Sequence, residues 1–200
     1  MKLLYTIIII LLFFVNIEID AIGDNDMSKK NEYSILTPEE AKNFATNEFF
    51  KHLWVYPKKV IHLVKESTAN LPLLVQRVDQ KDSYYYIVPF NKDNQTMAIV
   101  IIDAITGQFK ETSIHNEPSI YPGVSGNEAK EILINYLKNE DATREILNQK
   151  ILMIWKPCEQ TQSPYDPLWR IHIKSKDWLI DQKGIIYDKL IELKLKGGSQ

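Results

Sequence analysis

The sequence predicts an α+β protein built from two tandem modules, each with one helix packed on a small antiparallel sheet. Three observations predict it. A helix-start signature with one residue spacing occurs at Thr37 and again at Ser125. Each start is followed by short apolar, β-branched or aromatic runs divided by polar turns. An apolar strand ending in aspartate, with a glycine soon after, also occurs twice, at Asp103 with Gly107 and at Asp181 with Gly184.

The chain of 200 residues has room for one ordinary domain or two small ones. Its 44% hydrophobic and 25% charged content is that of a folded protein. The formal net charge is -2, so no basic surplus exists to neutralise phosphates, and nucleic acid is not an expected partner. The one cysteine, Cys158, cannot form an internal disulfide.

Lys2 precedes an apolar run over residues 3–15. A basic start and a short apolar core fit a secretory signal better than a full span, which needs about 20 residues. Ile19 stands where a small residue is usual for a cut after Ala21. Residues 1–22 are therefore read as a signal peptide or an uncleaved N-terminal anchor. Residues 23–34 are polar and charged, a linker.

The first module covers residues 35–116. Thr37 caps a helix, Pro38 suits its first position, and Glu40 completes a capping box. Ala41, Phe44, Ala45, Phe49 and Leu53 follow helical spacing, and Pro57 requires the helix to end before it. Strands are expected at 60–64, 73–78, 84–90, 97–103 and 108–112. Residues 97–102 show little alternation, which predicts a strand covered on both faces. Asp103 and Gly107 make the turn that follows, the aspartate bonding its own backbone and the glycine free to take positive φ.

The second module covers residues 117–196, after the breaker run 117–123. Ser125 and Glu128 repeat the capping box. Ala129, Ile132, Leu133, Tyr136 and Leu137 form its apolar stripe, and Phe44 aligns with Ile132. Strands are expected at 151–155, 168–173, 178–181 and 185–187, with 190–196 extending the last. The Asp181 turn recurs at a shorter offset than the helix start, so the second module reads as one strand short. Residues 73–78 are the preferred extra strand, ahead of 97–103.

A capped Thr/Ser-x-x-Glu-Ala helix, antiparallel strands and a strand ending Ile-Asp-Ala-x-Thr-Gly resemble the PepSY domain. Thr37, Glu40, Ala41, residues 84–88, Ile102, Asp103, Ala104, Thr106 and Gly107 carry the resemblance. Ser125, Glu128, Ala129, Ile180, Asp181 and Gly184 carry a weaker second copy. PepSY domains occur in propeptides of secreted metalloproteases and in bacterial envelope proteins. The resemblance implies an extracytoplasmic, non-catalytic module that binds or restrains a protease. It brings no catalytic residues.

No catalytic, cofactor-binding or metal site is assigned. The four histidines lack metal-motif spacing, and no Gly-x-Ser-x-Gly, phosphate-cradling or dinucleotide fingerprint occurs. Asp103, Gly107, Asp181 and Gly184 are read as structural turn residues. Trp54, Tyr56 and Tyr85 are the candidate partner-binding residues, because exposed aromatics are favoured in contacts and Tyr85 must face opposite Tyr84 and Tyr86. The expected function is an exported binding module acting on a protein partner, a protease inhibitor or modulator foremost. The alternatives are a membrane-anchored structural or sensory envelope protein and a secreted immunity-type protein that neutralises a toxin. Contact with a membrane is expected only through the N-terminal segment.

Overall fold

The computed structural model describes residues 34–193. The predicted signal or anchor, nearly all of the linker and residues 194–196 lie outside them. The elements in order are α1 (Pro38–His52), a 3-10 turn (Leu53–Val55), α2 (Lys58–Val64), β1 (Thr68–Ala69), β2 (Leu73–Arg77), β3 (Ser83–Lys92), β4 (Gln95–Asp103) and β5 (Phe109–Ser119). There follow α3 (Gly126–Leu137), α4 (Glu140–Asn148), β6 (Leu152–Trp155), β7 (Leu168–Ile173), β8 (Lys176–Ile180) and β9 (Ile186–Tyr187). The fold is mixed α+β.

Both capping boxes form. Thr37 Oγ1 accepts from the Glu40 amide at 3.3 Å, and Glu40 Oε2 accepts from the Thr37 amide at 2.8 Å. Ser125 and Glu128 repeat the pair at 3.3 and 2.7 Å. Each box satisfies two backbone donors that a helix start would otherwise leave unpaired.

The strands form one nine-stranded sheet in the order β5-β4-β3-β2-β6-β7-β8-β9, with β1 paired to the far end of β3. Neighbours are antiparallel except at the centre. There β2 and β6 run parallel, with Val75 opposite Met153 and Arg77 opposite Trp155. The expectation of separate antiparallel sheets is corrected here. A short strand with a free inner edge leaves a row of unpaired amides and carbonyls, and joining the two edges removes both rows.

Alternation along the strands assigns the two faces. Tyr86, Val88, Phe90, Ala98, Val100 and Ile102 pack with Ala41, Ala45 and Phe49 of α1 and Val64 of α2. Tyr85, Ile87, Ile99 and Ile101 point the other way. They share a core with Met153, Trp155, Trp169, Ile171, Ala129 and Leu133 of α3, and Ile146 of α4. The 97–102 run is thus buried on both faces, as its lack of alternation predicts. Each fully buried large side chain contributes roughly 1.5–3 kcal/mol.

Residues 60–64 are helical. A short apolar run cannot distinguish helix from buried strand by periodicity. Pro57 stands at the N-cap of α2, and Val64 alone is fully buried. Among the described residues β2 and β1 already fill that side of β3. Helix α4 is absent from the sequence expectation, although Asn139 caps it and Ala142 and Ile146 lie one turn apart on its buried side. Each half therefore has two helices where one is expected. Because 60–64 is α2, residues 73–77 occupy the place of β6, and the four strands β2 to β5 face four strands β6 to β9. The first half still has one strand more, but the extra one is the two-residue β1 and not 73–77. Beyond β9, residues 188–193 form no strand.

Several contacts occur once in each half. Tyr86 lies opposite Ile102 in the β3–β4 ladder, and Trp169 lies opposite Ile180 in the β7–β8 ladder. The Tyr86 hydroxyl donates to the carbonyl of Leu36 at 2.7 Å, and Trp169 Nε1 donates to the carbonyl of Val124 at 2.8 Å. Leu36 and Val124 are the residues directly before the two helix caps. Phe44 lies against Gly107, where an added Cβ would come within 2.8 Å of its ring, and Ile132 lies against Gly184 at 3.1 Å by the same measure. Both glycines have positive φ, 71° and 82°. A side chain there would be strained twice over, by the backbone and by the helix above it.

Removing the hydroxyl in Tyr86→Phe leaves the Leu36 carbonyl without this donor. Stability should fall by about 1 kcal/mol, read as a lower urea midpoint at an unchanged slope. Trp169→Phe loses buried volume as well and should cost about 2 kcal/mol or more. If the Tyr86→Phe midpoint matched the wild type, the helix start would not depend on this bond.

Candidate functional site

The three candidate aromatics separate. Trp54 is in the 3-10 turn and 78% exposed. Tyr56 follows it and is half-buried against the core under α1. Tyr85 is only 6% exposed, so it offers a partner little surface. Its ring meets Trp155 edge-on with centroids 6.3 Å apart, and its hydroxyl donates to the carbonyl of Pro164 at 2.8 Å. The Tyr84-Tyr85-Tyr86 triplet thus has no bare face: Tyr85 and Tyr86 are buried on opposite sides of the sheet, and Tyr84 is half-buried. Burial pushes the Tyr85 hydroxyl far above the ordinary phenol range, so it stays protonated and donating.

Tyr85 does lie beside a cleft of about 310 Å³. The cleft crosses the sheet on the face opposite α1, at the end of the parallel seam. The register explains its lining. Trp155 is opposite Arg77, Arg77 opposite Ser83, Tyr85 opposite Asp103, and Ile101 opposite Glu111. Pro164, from the loop between β6 and β7, lines it together with these residues.

The floor is apolar and the rim carries both charges. The Arg77 guanidinium lies 4.8 Å from the centre of the Trp155 ring. It also makes a two-point contact with Asp79, at 3.2 and 2.7 Å. That hydrogen bond holds the Asp79 carboxyl below its ordinary value. Lys110 Nζ lies 3.5 Å from Asp103 Oδ2. Trp155 Nε1 is buried and has no partner among the described residues. An unpaired buried donor is uncommon and costly. The sequence holds no cue to this cleft, because Arg77 and Trp155 meet only through the parallel pairing.

The turn residues are where the sequence reading puts them. Asp103 Oδ1 accepts from the amides of Ile105 and Thr106 at 3.0 and 2.9 Å and from the Thr106 hydroxyl at 3.0 Å. Burial alone would raise this carboxyl. The Thr106 and Ile105 amides, the Thr106 hydroxyl and Lys110 outweigh it and hold Asp103 below the ordinary carboxylate value. Asp181 Oδ1 accepts from the amides of Lys183 and Ile185, both at 2.8 Å, and its Oδ2 accepts from the Tyr187 hydroxyl at 3.0 Å. Both carboxylates are committed to their own turns.

The histidines are dispersed. His52 stacks on Phe109 with centroids 4.5 Å apart, His62 is exposed on α2, His115 contacts Ser119, and His172 contacts Asp177. Among the described residues no group of three or more histidines, cysteines or carboxylates is placed to hold a metal ion. Cys158 is buried, with its Sγ 3.0 Å from Thr161 Oγ1. No described helix is long and apolar enough to cross a membrane.

The depressed Asp103 value fixes the sign of a pH effect. A carboxyl whose folded pKa lies below its unfolded value stabilises fully above the unfolded pKa, and that contribution disappears as pH falls through the folded pKa. Asp103→Asn should cost roughly 1–2 kcal/mol at neutral pH. The gap to wild type should narrow below about pH 4. Urea titrations of both proteins across that range check it, and a gap independent of pH would remove the charge from the explanation. No family model, no curated protein and no solved structure matches this chain.

Proposed function

We propose that the chain is an exported, non-catalytic binding protein made of two PepSY-like modules joined edge to edge, and that it modulates a protein partner, a secreted protease foremost. The observation that carries this reading is the doubled hallmark: a capped helix sits on an Asp–Gly turn, with an aromatic from the neighbouring strand bonded to the residue before the cap. That arrangement extends the sequence resemblance into packing that the motif itself does not contain. Each module then comprises two helices and four main strands, with the boundary near residue 117.

The cleft beside the seam suits a partner's side chain. Buried Trp155 and Tyr85 give it a rigid, apolar floor, and Arg77, Lys110, Asp103 and Glu111 at its rim provide the contact and the charge for orientation. Glu111 is exposed on β5 and can be changed without touching the core.

Pull-down and inhibition assays against secreted proteases of the source organism test the reading. Binding without turnover of the chain is expected for at least one protease. Glu111→Arg should weaken it at least tenfold, a loss of about 1.4 kcal/mol, with unchanged thermal unfolding. No binding and no inhibition across the set would refute the protease reading. Binding that ignores Glu111→Arg would move the contact away from the cleft.

A further inference from the structure

We infer that the corner formed by the end of α1, the 3-10 turn and α2 docks on the surface of an anionic lipid bilayer. The corner lies on the sheet face opposite the cleft. Helix α1 continues directly into the turn, so Phe50 and Trp54 stand one turn apart, both outward. Trp54 is 78% exposed, Val55 57% and Phe50 44%. Leu63 is exposed on α2, one turn after the exposed Lys59. Large apolar side chains exposed along consecutive elements mark a contact surface.

Charge selects the occupant. Residues 49–65 carry Lys51, Lys58, Lys59 and Lys65 and no aspartate or glutamate, in a chain whose formal net charge is -2. The flanking acids are neutralised within the fold: Glu48 pairs with Lys51 at 2.5 Å, and Glu66 with Lys92 at 2.7 Å. Lys58, Lys59 and Lys65 are exposed and have no ion-pair partner among the described residues. An exposed tryptophan followed along the chain by exposed, unpaired lysines matches the headgroup layer of an anionic bilayer. The indole sits at the polar–apolar boundary, and the lysine stems lie along it with their ammonium groups outward. Each lysine near such a surface adds about fivefold to binding.

The apolar run at 3–15 can itself hold the full chain on vesicles, so the readout must be local to Trp54. The full chain and its Trp54→Phe variant are mixed with vesicles of brominated phosphatidylcholine, with and without phosphatidylglycerol. The difference between their fluorescence isolates Trp54. Strong quenching is expected on the anionic vesicles and little on the neutral ones. Lys58→Glu/Lys59→Glu should reduce it at least tenfold at equal lipid, with the far-ultraviolet circular dichroism unchanged to show that the variant folds. Three outcomes would overturn the inference: Trp54 unquenched on anionic vesicles, equal quenching on neutral ones that ignores the charge reversal, or an emission shift that tracks protein concentration without lipid. The last would assign the corner to a second copy of the chain.

Discussion

The parallel pairing of β2 with β6 is the interaction on which the rest of the described structure depends. It is short, with partners from Val75 and Met153 to Arg77 and Trp155. Yet it joins β2–β5 to β6–β9 in one sheet, and it is reinforced from several sides. The Val78 amide donates to the Trp155 carbonyl at 3.0 Å, and the Arg77 guanidinium covers the Trp155 ring. Further out, Tyr85 and Tyr121 donate to the carbonyls of Pro164 and Tyr165, tying the loop after β6 to the first half. These phenols are kept protonated by burial. Each bond joins a donor from the first half or the inter-half segment to a distant carbonyl, so the seam is held by long-range contacts.

Pairing geometry also explains why the helices lie on opposite faces. The strand order is palindromic about the seam, and strands on either side of it run the same way. A rotation by half a turn about an axis along the strands satisfies both conditions, and it exchanges the two faces. Ile102 accordingly packs beneath α1, whereas Ile180 packs in the core of α3 and α4. The cores on the two faces nevertheless depart from this symmetry. The cluster on the α3 side also takes in Tyr85, Ile87, Ile99 and Ile101 of the first half, while the far face of the second half has only a small cluster around Ile154, Leu168 and Leu179.

This arrangement leaves two surfaces with different chemistry. The cleft on one face is aromatic at its floor and mixed in charge at its rim, the surface we propose for a protein partner. The α1–α2 corner on the other face projects apolar side chains among unpaired lysines, which suits lipid headgroups. The two proposals are compatible: a chain held near a bilayer by one face would present the other to a partner.

What the sequence determines by itself is local. The capping boxes at Thr37 and Ser125, the Asp103 and Asp181 turns, the two-sided burial of 97–102 and strands β3, β4 and β7 follow from spacing and backbone chemistry within a few residues. Helix α4 was legible too, in the Asn139 cap and the Ala142 and Ile146 spacing. What only the tertiary structure decided depends on partners far along the chain. Residues 60–64, a short apolar run with no periodicity of its own, are helix where β1 and β2 already fill that side of β3. Tyr85 went inside because Trp155 and Pro164, far along the sequence, cover it. The seam arose because two inner edges met in parallel, which alternation along either strand does not encode. The cleft, whose Arg77 and Trp155 meet only across that seam, is a product of the same pairing. The two turns that mark the halves were written into the chain, but the contact that makes those halves one sheet was not.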